Sequence, residues 1–283
     1  MNSKKLAVVF SLLVIVILSV GVVSAFNLGD FVKGLFGGGK VTGNTISEIS
    51  SNGLVLQYSF QENNYTGSSG EVIDGSGVGN HGTTSGGVVA TSGNGIDGKS
   101  AYFDGSNDYV SSSFANFPAG SAARTTTAWI KTSYTPDWRD HYIVTYGFSS
   151  NSKMWAMGTY PYPTSSDCSA VVTNGGDGVH GTTRICDGNW HMITATWNGS
   201  VARLYVDGVM QSSGSLSGYG GVNTAADQLA YIGHLASAWK FQEGLIDEVT
   251  IWNRSLSASE IYTLYSNQSA RLIDTHTPVN GIC

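Results

Sequence analysis

Residues 187–213 read DGNWHMITATWNGSVARLYVDGVMQSS. Runs rich in β-branched, aromatic and aliphatic side chains, Met192–Trp197 and Ala202–Val206, are separated by Asn198-Gly199, and Asp207-Gly208 follows the second run. Asn-Gly and Asp-Gly accept the positive φ angles of two-residue hairpin loops, whose twist matches that of paired strands. The stretch is therefore expected to form a meander of three antiparallel strands over residues 191–213.

The same pattern extends outward. Leu54, Leu56, Tyr58 and Phe60 alternate with Val55, Gln57 and Ser59, the period of a half-buried strand. Further strands are expected at Ala101–Phe103, Thr126–Lys131, Tyr142–Tyr146, Lys153–Met157, Leu229–Gly233 and Leu245–Trp252. One helix of about ten residues is marked by Ser257 and Glu260, a capping box, with Leu256 and Ile261 placed as a hydrophobic staple. About a dozen short strands and one short C-terminal helix predict an all-β, two-sheet antiparallel β-sandwich over residues 53–268, with a tail at 269–283.

Composition agrees. Glycine accounts for 37 of 283 residues, and charged residues for only 12%, about half of the ~25% usual in soluble domains. That excludes coiled coils and helical bundles. The 41% hydrophobic and 11% aromatic content excludes a disordered polyelectrolyte. Net charge is −6, with no basic stretch beyond Lys4-Lys5, which argues against nucleic acid as a partner.

Lys4-Lys5, the uncharged run Leu6–Val23 and the small residues of Val23-Ser24-Ala25 form an export signal, with cleavage expected after Ala25. The run of about 18 residues also approaches the ~20 that span a bilayer, so an uncleaved membrane anchor stays as the alternative. Residues 26–52, with Gly29, Gly34, Gly37, Gly38, Gly39 and Gly43, read as a flexible linker. Localisation is thus expected to be extracellular or at the cell surface, with membrane contact only through the N-terminal segment.

Cys168 and Cys186 flank two strand-like runs, Ser169–Thr173 and Val179–Ile185, joined by a loop at 174–178. The midpoint of the two cysteines falls inside that loop. They should therefore face each other across a hairpin at a separation a disulfide accepts; two free buried thiols are the alternative. Cys283 has no evident partner.

Six motifs then resemble, in order, those of LamG-like jellyroll domains in the concanavalin A-like lectin/glucanase superfamily. They are Asp74–Thr83; Gly98–Gly105 with Asn107–Val110; Ala128–Lys131; Asp187–His191 with Leu204–Gly208; Gly244–Val249 with Trp252–Arg254; and Leu256–Ile261. Together they span about 215 residues. The resemblance implies a jellyroll sandwich with a concave face. It also implies an exported protein that binds carbohydrate or mediates adhesion, with calcium bound in some members. Fold alone does not fix function.

Catalysis is not expected. Glycosidases need two carboxyl groups about 5–9.5 Å apart, and the six glutamates include no Glu-x-Asp or Glu-x-Glu pair. Asp247 and Glu248 are adjacent, so an unbroken strand would point them to opposite faces. Asp247 shares its expected face with Leu245, Val249 and Ile251, the core face. There it either accepts backbone N–H groups or helps to bind Ca2+ with Asp74, Asp104 and Asp108. A pentraxin-type calcium site is not expected, because the similar loops at 147–152 and 234–238 carry no carboxylate. The six histidines lack metal-ligand spacing.

Sugars stack on exposed aromatic faces, so the tryptophans must be divided between core and site. Trp190 and Trp197 are expected to pack. Trp129 and Trp252 lie on the face opposite the inter-sheet core, covered by the C-terminal helix or forming a sugar platform. Trp138, Trp155, Trp239 and Tyr160 are the loop candidates for ligand binding, with loop-anchoring hydrophobes as the bland alternative. Sequons at Asn64, Asn198, Asn253 and Asn267 are candidate glycosylation sites. The sequence therefore predicts a non-catalytic carbohydrate-binding or adhesion module recognising glycans or cell-surface polysaccharide. The alternatives are a structural sandwich contacting proteins and, distantly, a glycoside hydrolase.

Overall fold

The structure, a computed structural model, describes residues 51–112, 117–134, 141–161, 168–226, 228–235 and 241–276. The chain divides into Met1–Gly43 and Asn44–Cys283, and every described residue lies in the second unit. The expected signal segment and Cys283 fall outside the described residues.

Two antiparallel sheets pack into a sandwich. One contains β1 (Leu54–Tyr58), β3 (Val89–Gly95), β4 (Gly98–Asp104), β6 (Arg124–Lys131), β11 (Trp190–Trp197), β12 (Ala202–Val206), β13 (Val209–Gly214) and β15 (Glu243–Trp252). Its order is β13-β12-β11-β6-β15-β4-β3, with β1 also paired to β15. The other contains β2 (Gly82–Ser85), β5 (Tyr109–Ser112), β7 (His141–Gly147), β8 (Met154–Tyr160), β9 (Ser169–Thr173), β10 (Gly178–Arg184) and β14 (Ala230–Ile232). Its order is β10-β9-β8-β7-β14-β5-β2. Helix α1 (Ala258–His276) closes the described part of the chain.

The meander forms as expected. Ile193 pairs with Val206 and Trp197 with Ala202, while Val206 pairs with Val209. Asp207 and Gly208 have φ of 52° and 77°, the left-handed pair that a type I′ turn requires. Ile193, Ala195, Leu204, Val206, Ala128 and Ile130 meet Ile143, Trp155, Met157, Val172 and Ile232 of the facing sheet in one buried cluster. Loss of apolar surface from water at this inter-sheet layer, at roughly 25 cal/mol per Å², is the main stabilising contribution. Trp197, 3% exposed, packs there as expected and donates Nε1–H to the Ser121 carbonyl at 3.1 Å.

The ladder between β9 and β10 slips between His180 and Arg184. After that shift Ile185 lies opposite Cys168 and donates its N–H to the Cys168 carbonyl at 2.9 Å, and the adjacent Cys186 forms a disulfide with Cys168, with Cα atoms 5.6 Å apart.

Helix α1 covers the outer face of the eight-stranded sheet. Trp129, Trp252 and Met192 form a second buried cluster with Leu256, Ile261 and Leu264. The Trp129 ring stacks on Tyr265 at 5.7 Å and 17°. These two tryptophans are covered, so they offer no sugar platform. The capping box holds: the Ser257 N–H donates to Glu260 Oε2 at 2.8 Å, and the Glu260 N–H donates to Ser257 Oγ at 3.3 Å. The helix is 19 residues long, beyond the ten expected, because its later turns are also anchored. Gln268 accepts from Trp129 Nε1 at 2.7 Å and donates to Glu248 Oε2 at 3.1 Å, and Arg271 reaches Asp97 at 3.1 Å.

Strand β15 corrects the expected faces of its carboxylates. The register shifts between Asp247 and Thr250, and Glu248 has φ of 47°, so a bulge interrupts the alternation. Asp247 faces Trp129 across the ladder, on the helix side, while Ile246 points into the inter-sheet core. Asp247 and Glu248 both lie buried rather than on opposite faces of the sheet.

Candidate functional site

A cleft of about 400 Å³ lies on the outer face of the seven-stranded sheet. Strand pairing dictates its floor. Ala156 is opposite Thr173, Gly158 opposite Val171 and Tyr160 opposite Ser169, while Gly178 is opposite Thr173 and His180 opposite Val171. Residues directly opposed share a face. Their neighbours Trp155, Met157, Ala170, Val172 and Val179 fill the inter-sheet core, so this set faces outward. Val171, Thr173 and Gly178 of this set line the cleft, while Ala156 and Gly158 beside them lie buried. Gly158 is required there: a Cβ would collide with the His141 carbonyl of β7, where the β7–β8 ladder is irregular.

Side chains rise around this floor. The Tyr160 and His180 rings lie 4.8 Å apart at 51° on one flank. Tyr142, Met154 and Leu235 form a small apolar cluster with Ala156 on the other. Ser149, Ser150 and Asn151 in one loop and Gly175, Gly176 and Asp177 in another close one end. Beyond Leu235 the same sheet face carries more rings: His234 stacks on Phe241 at 4.3 Å and 10°, and Tyr109 meets Tyr231 at 5.8 Å. Burial lowers the His234 pKa and raises that of Tyr231, so both are neutral near pH 7.

The 174–178 loop is held from beneath. The buried Asn174 side chain donates to the carbonyls of Leu216 at 3.2 Å and Gly221 at 3.0 Å. Its Oδ1 accepts from Gly176 N at 3.0 Å and Asp177 N at 2.8 Å. The Asp177 carboxylate accepts the Gly218 N–H. These bonds fix the wall, a preorganisation that lowers the ordering cost of binding.

Of the four residues proposed from sequence for ligand binding, Tyr160 lines the cleft. Trp155 does not: it is 0% exposed and points between the sheets, where Nε1–H donates to Thr126 Oγ1 at 3.1 Å and the buried Arg124 guanidinium lies 5.5 Å from its ring. Trp138 and Trp239 lie outside the described residues. Sequence reasoning missed Tyr142, Asn174 and His180. Continuing the β8 alternation from Met157 to Tyr160 would have separated Trp155 from Tyr160 and directed attention to the partners of Tyr160.

The four acidic residues considered for calcium are dispersed over three local arrangements. Asp74 accepts from Gln57 N, Ser76 N, Ser76 Oγ, Gly79 N and Asn80 N at 2.7–3.1 Å; five donors saturate a carboxylate's roughly four lone-pair sites. Asp247 accepts the N–H groups of Ile96 at 2.8 Å and Glu248 at 2.7 Å, the backbone-acceptor alternative of the sequence reading. Asp104 accepts from Ser106 N at 2.8 Å, and Asp108 accepts from Asp104 N at 2.9 Å. Asp108 Oδ1 is buried without a hydrogen-bond partner. Among the described residues, no group of three or more His, Cys, Asp or Glu is arranged to hold a metal. Asn64, Asn198 and Asn253 are exposed, whereas Asn267 on α1 is half-buried.

The remaining titratable cluster lies under α1. Burial, then the neighbouring Glu248 charge, raises the Asp247 pKa well above its usual range. Burial raises that of Glu248 to about 7, opposed by the Arg271 charge. His191, between Asp207 at 2.8 Å and Asp187 at 3.2 Å, has its pKa raised by the hydrogen bond to Asp207.

A family model described as the concanavalin A-like lectin/glucanases superfamily matches residues 104–262. No curated protein matches the sequence. Among solved structures, the fold is similar to domain 4 of AbnA, a GH43 extracellular arabinanase from Geobacillus stearothermophilus, in complex with arabinotriose. The TM-score is 0.56 at 19% identity, covering 75% of this chain and 98% of that one. It is also similar to the binding domain of Paraclostridial Mosquitocidal Protein 1, with TM-score 0.58, 16% identity and coverage of 76% and 52%. A third is the binding domain of Botulinum Neurotoxin DC in complex with SialylT, with TM-score 0.56, 14% identity and coverage of 77% and 52%. The chain thus spans about half of each toxin structure.

Proposed function

The chain belongs to the concanavalin A-like lectin/glucanase superfamily, and from that premise we propose that it is an exported, non-catalytic module that binds carbohydrate in the cleft of its seven-stranded sheet. The observation that carries this reading is the cleft itself, in which the Tyr160 and His180 rings stand beside a floor of Val171, Thr173 and Gly178. A sugar has an apolar face and a rim of hydroxyls. The rings can stack on the face, and Ser149, Ser150 and Asn151 can hydrogen-bond the rim, the mix of apolar surface and few polar groups usual in small-ligand sites. Similar folds solved with arabinotriose and with SialylT add support.

The non-catalytic part of the reading is supported by where the carboxylates are. The adjacent pair, Asp247 and Glu248, is sealed beneath α1. Among the described residues lining the cleft, Asp177 is the one carboxylate, and it is engaged with Gly218. Glycoside hydrolysis by the usual route needs two facing a substrate. Export is supported by the Lys4-Lys5 and Leu6–Val23 pattern and by a disulfide, which persists in oxidising compartments. Any calcium requirement would reside in the Asp104–Asp108 turn, where Asp108 keeps its unpaired oxygen.

A glycan array probed with purified wild-type protein and Tyr160→Ala tests the reading. Wild type should bind a subset of glycans, and the variant should lose at least several-fold in affinity while unfolding at the same temperature. Absence of binding to every glycan, with and without calcium, would instead favour a protein-contacting module.

A further inference from the structure

We infer that the cleft takes an extended, uncharged oligosaccharide and that Tyr219 provides a second stacking platform at the end opposite Tyr160. This inference rests on the carbohydrate reading and specifies its ligand. Tyr160 ends β8, and the loop containing Ser149–Asn151 lies just before that strand begins at Met154. Six residue rises separate Met154 from Tyr160, about 20 Å at ~3.3 Å per residue. That length exceeds a single sugar and suits several in a row.

Tyr219 stands at the far end. Its side chain is 70% exposed, yet its backbone is held in the left-handed region, at φ 54° and ψ 27°. A bulky residue there is uncommon, and such conformations cluster at functional sites. Four bonds impose it: the Ser152 hydroxyl donates to the Tyr219 carbonyl, Gly218 N–H donates to Asp177, and Asn174 donates to the carbonyls of Leu216 and Gly221. Asp177 belongs to the cleft wall and Asn174 supports it, so one network fixes the wall and the tyrosine together. The Tyr219 ring lies on Gly176, also of that wall, where a Cβ would drive into the ring. The surrounding residues thus hold in place an aromatic ring that contributes little burial of its own.

The charge of the ligand follows from the lining. Among the described residues of the cleft there is one carboxylate, Asp177, and no lysine or arginine. Acidic sugars would meet a carboxylate without a compensating cation.

The test titrates the full chain with ladders of two to six sugars, arabino-, xylo- and cello-oligosaccharides as neutral probes and oligogalacturonate as the acidic one. Wild type is compared with Tyr219→Asn and Tyr160→Ala. Asparagine tolerates the left-handed backbone, so Tyr219→Asn removes the ring while keeping the loop, and an unchanged melting temperature checks this. Affinity should rise with length on at least one neutral ladder. Tyr219→Asn should lose several-fold for the longest members and be unchanged for the shortest. Tyr160→Ala should weaken all lengths, and oligogalacturonate should bind more weakly than any neutral ladder that binds. If Tyr219→Asn matches wild type at every length while Tyr160→Ala weakens binding, the second platform is wrong and the carbohydrate reading stands. Preference for oligogalacturonate overturns the uncharged ligand. No binding by wild type to any ladder overturns the inference, and a blank glycan array alongside it overturns the carbohydrate reading as well.

Discussion

Replacing Glu248 by Gln should stabilise the protein at alkaline pH and leave it nearly unchanged in acid. The Glu248 carboxyl is buried under α1, accepts from Gln268 at 3.1 Å and sits 3.9 Å from Arg271. Burial raises its pKa from 4.5 to about 7. A folded-state pKa above the unfolded value means that the folded protein holds a proton the unfolded chain releases. Stability is therefore greatest below the unfolded value and falls as pH rises through the folded one. A shift of this size corresponds to on the order of 3 kcal/mol. Asp247 beside it shares the titration, so the proton belongs to the pair. At pH 5 the glutamic acid is neutral, and Gln replaces it at similar shape, still accepting from Gln268. At pH 8 Gln avoids the buried charge, and the variant should unfold higher by about 6–12 °C, at roughly 2–4 °C per kcal/mol for a domain of this size. Urea unfolding at the two pH values measures this directly. His191, whose pKa is also raised, weakens the wild type in the same direction, but it is common to both proteins and cancels in the difference. An equal effect of Glu248→Gln at pH 5 and pH 8 would refute the reasoning, as would a variant destabilised at pH 8, which would mean that the Arg271 pairing dominates.

Other consequences follow from burial and cross-linking. Trp155→Ala should cost ~3–5 kcal/mol as a fully buried aromatic, and chemical denaturation would show it. A loss below 1 kcal/mol would return Trp155 to the surface. Reducing the Cys168–Cys186 disulfide, with its sequence separation of 18, should lower stability by ~3 kcal/mol, and peptide mapping without reductant should find the two half-cystines linked. Chelation by EDTA should leave the melting temperature unchanged in wild type, because Asp74 and Asp247 are satisfied by backbone N–H groups. If added calcium raises the melting temperature, Asp108→Asn should abolish that rise.

The sandwich was legible because its signals are local. Asn198-Gly199 and Asp207-Gly208 name their own turns, alternation from Leu54 to Phe60 names a strand, and Ser257 with Glu260 caps a helix. The disulfide was legible from the midpoint of its two cysteines, though the slip between His180 and Arg184 that brings Cys186 beside the partner of Cys168 leaves no mark in the sequence. What failed was parity across irregularities. The bulge at Asp247–Glu248 rests on Glu248 at positive φ, a position where glycine would be expected, so strict alternation put Asp247 on the wrong face. Trp155 was misplaced for the opposite reason: alternation holds unbroken from Met154 to Tyr160, and ending the expected strand at Met157 hid it. The cleft is a property of the sheet, built from β7, β8, β9 and β10 by cross-strand neighbours such as Tyr160 and His180. No sequence window contains all of it.

The most direct test of the central claim is the structure of the protein co-crystallised with the highest-affinity glycan from the array. Sugar density is expected in the cleft of the seven-stranded sheet, with one ring stacked on Tyr160 beside His180 and hydroxyls bonded to the loop at Ser149–Asn151. Density seated on another surface, with the cleft empty, would contradict it.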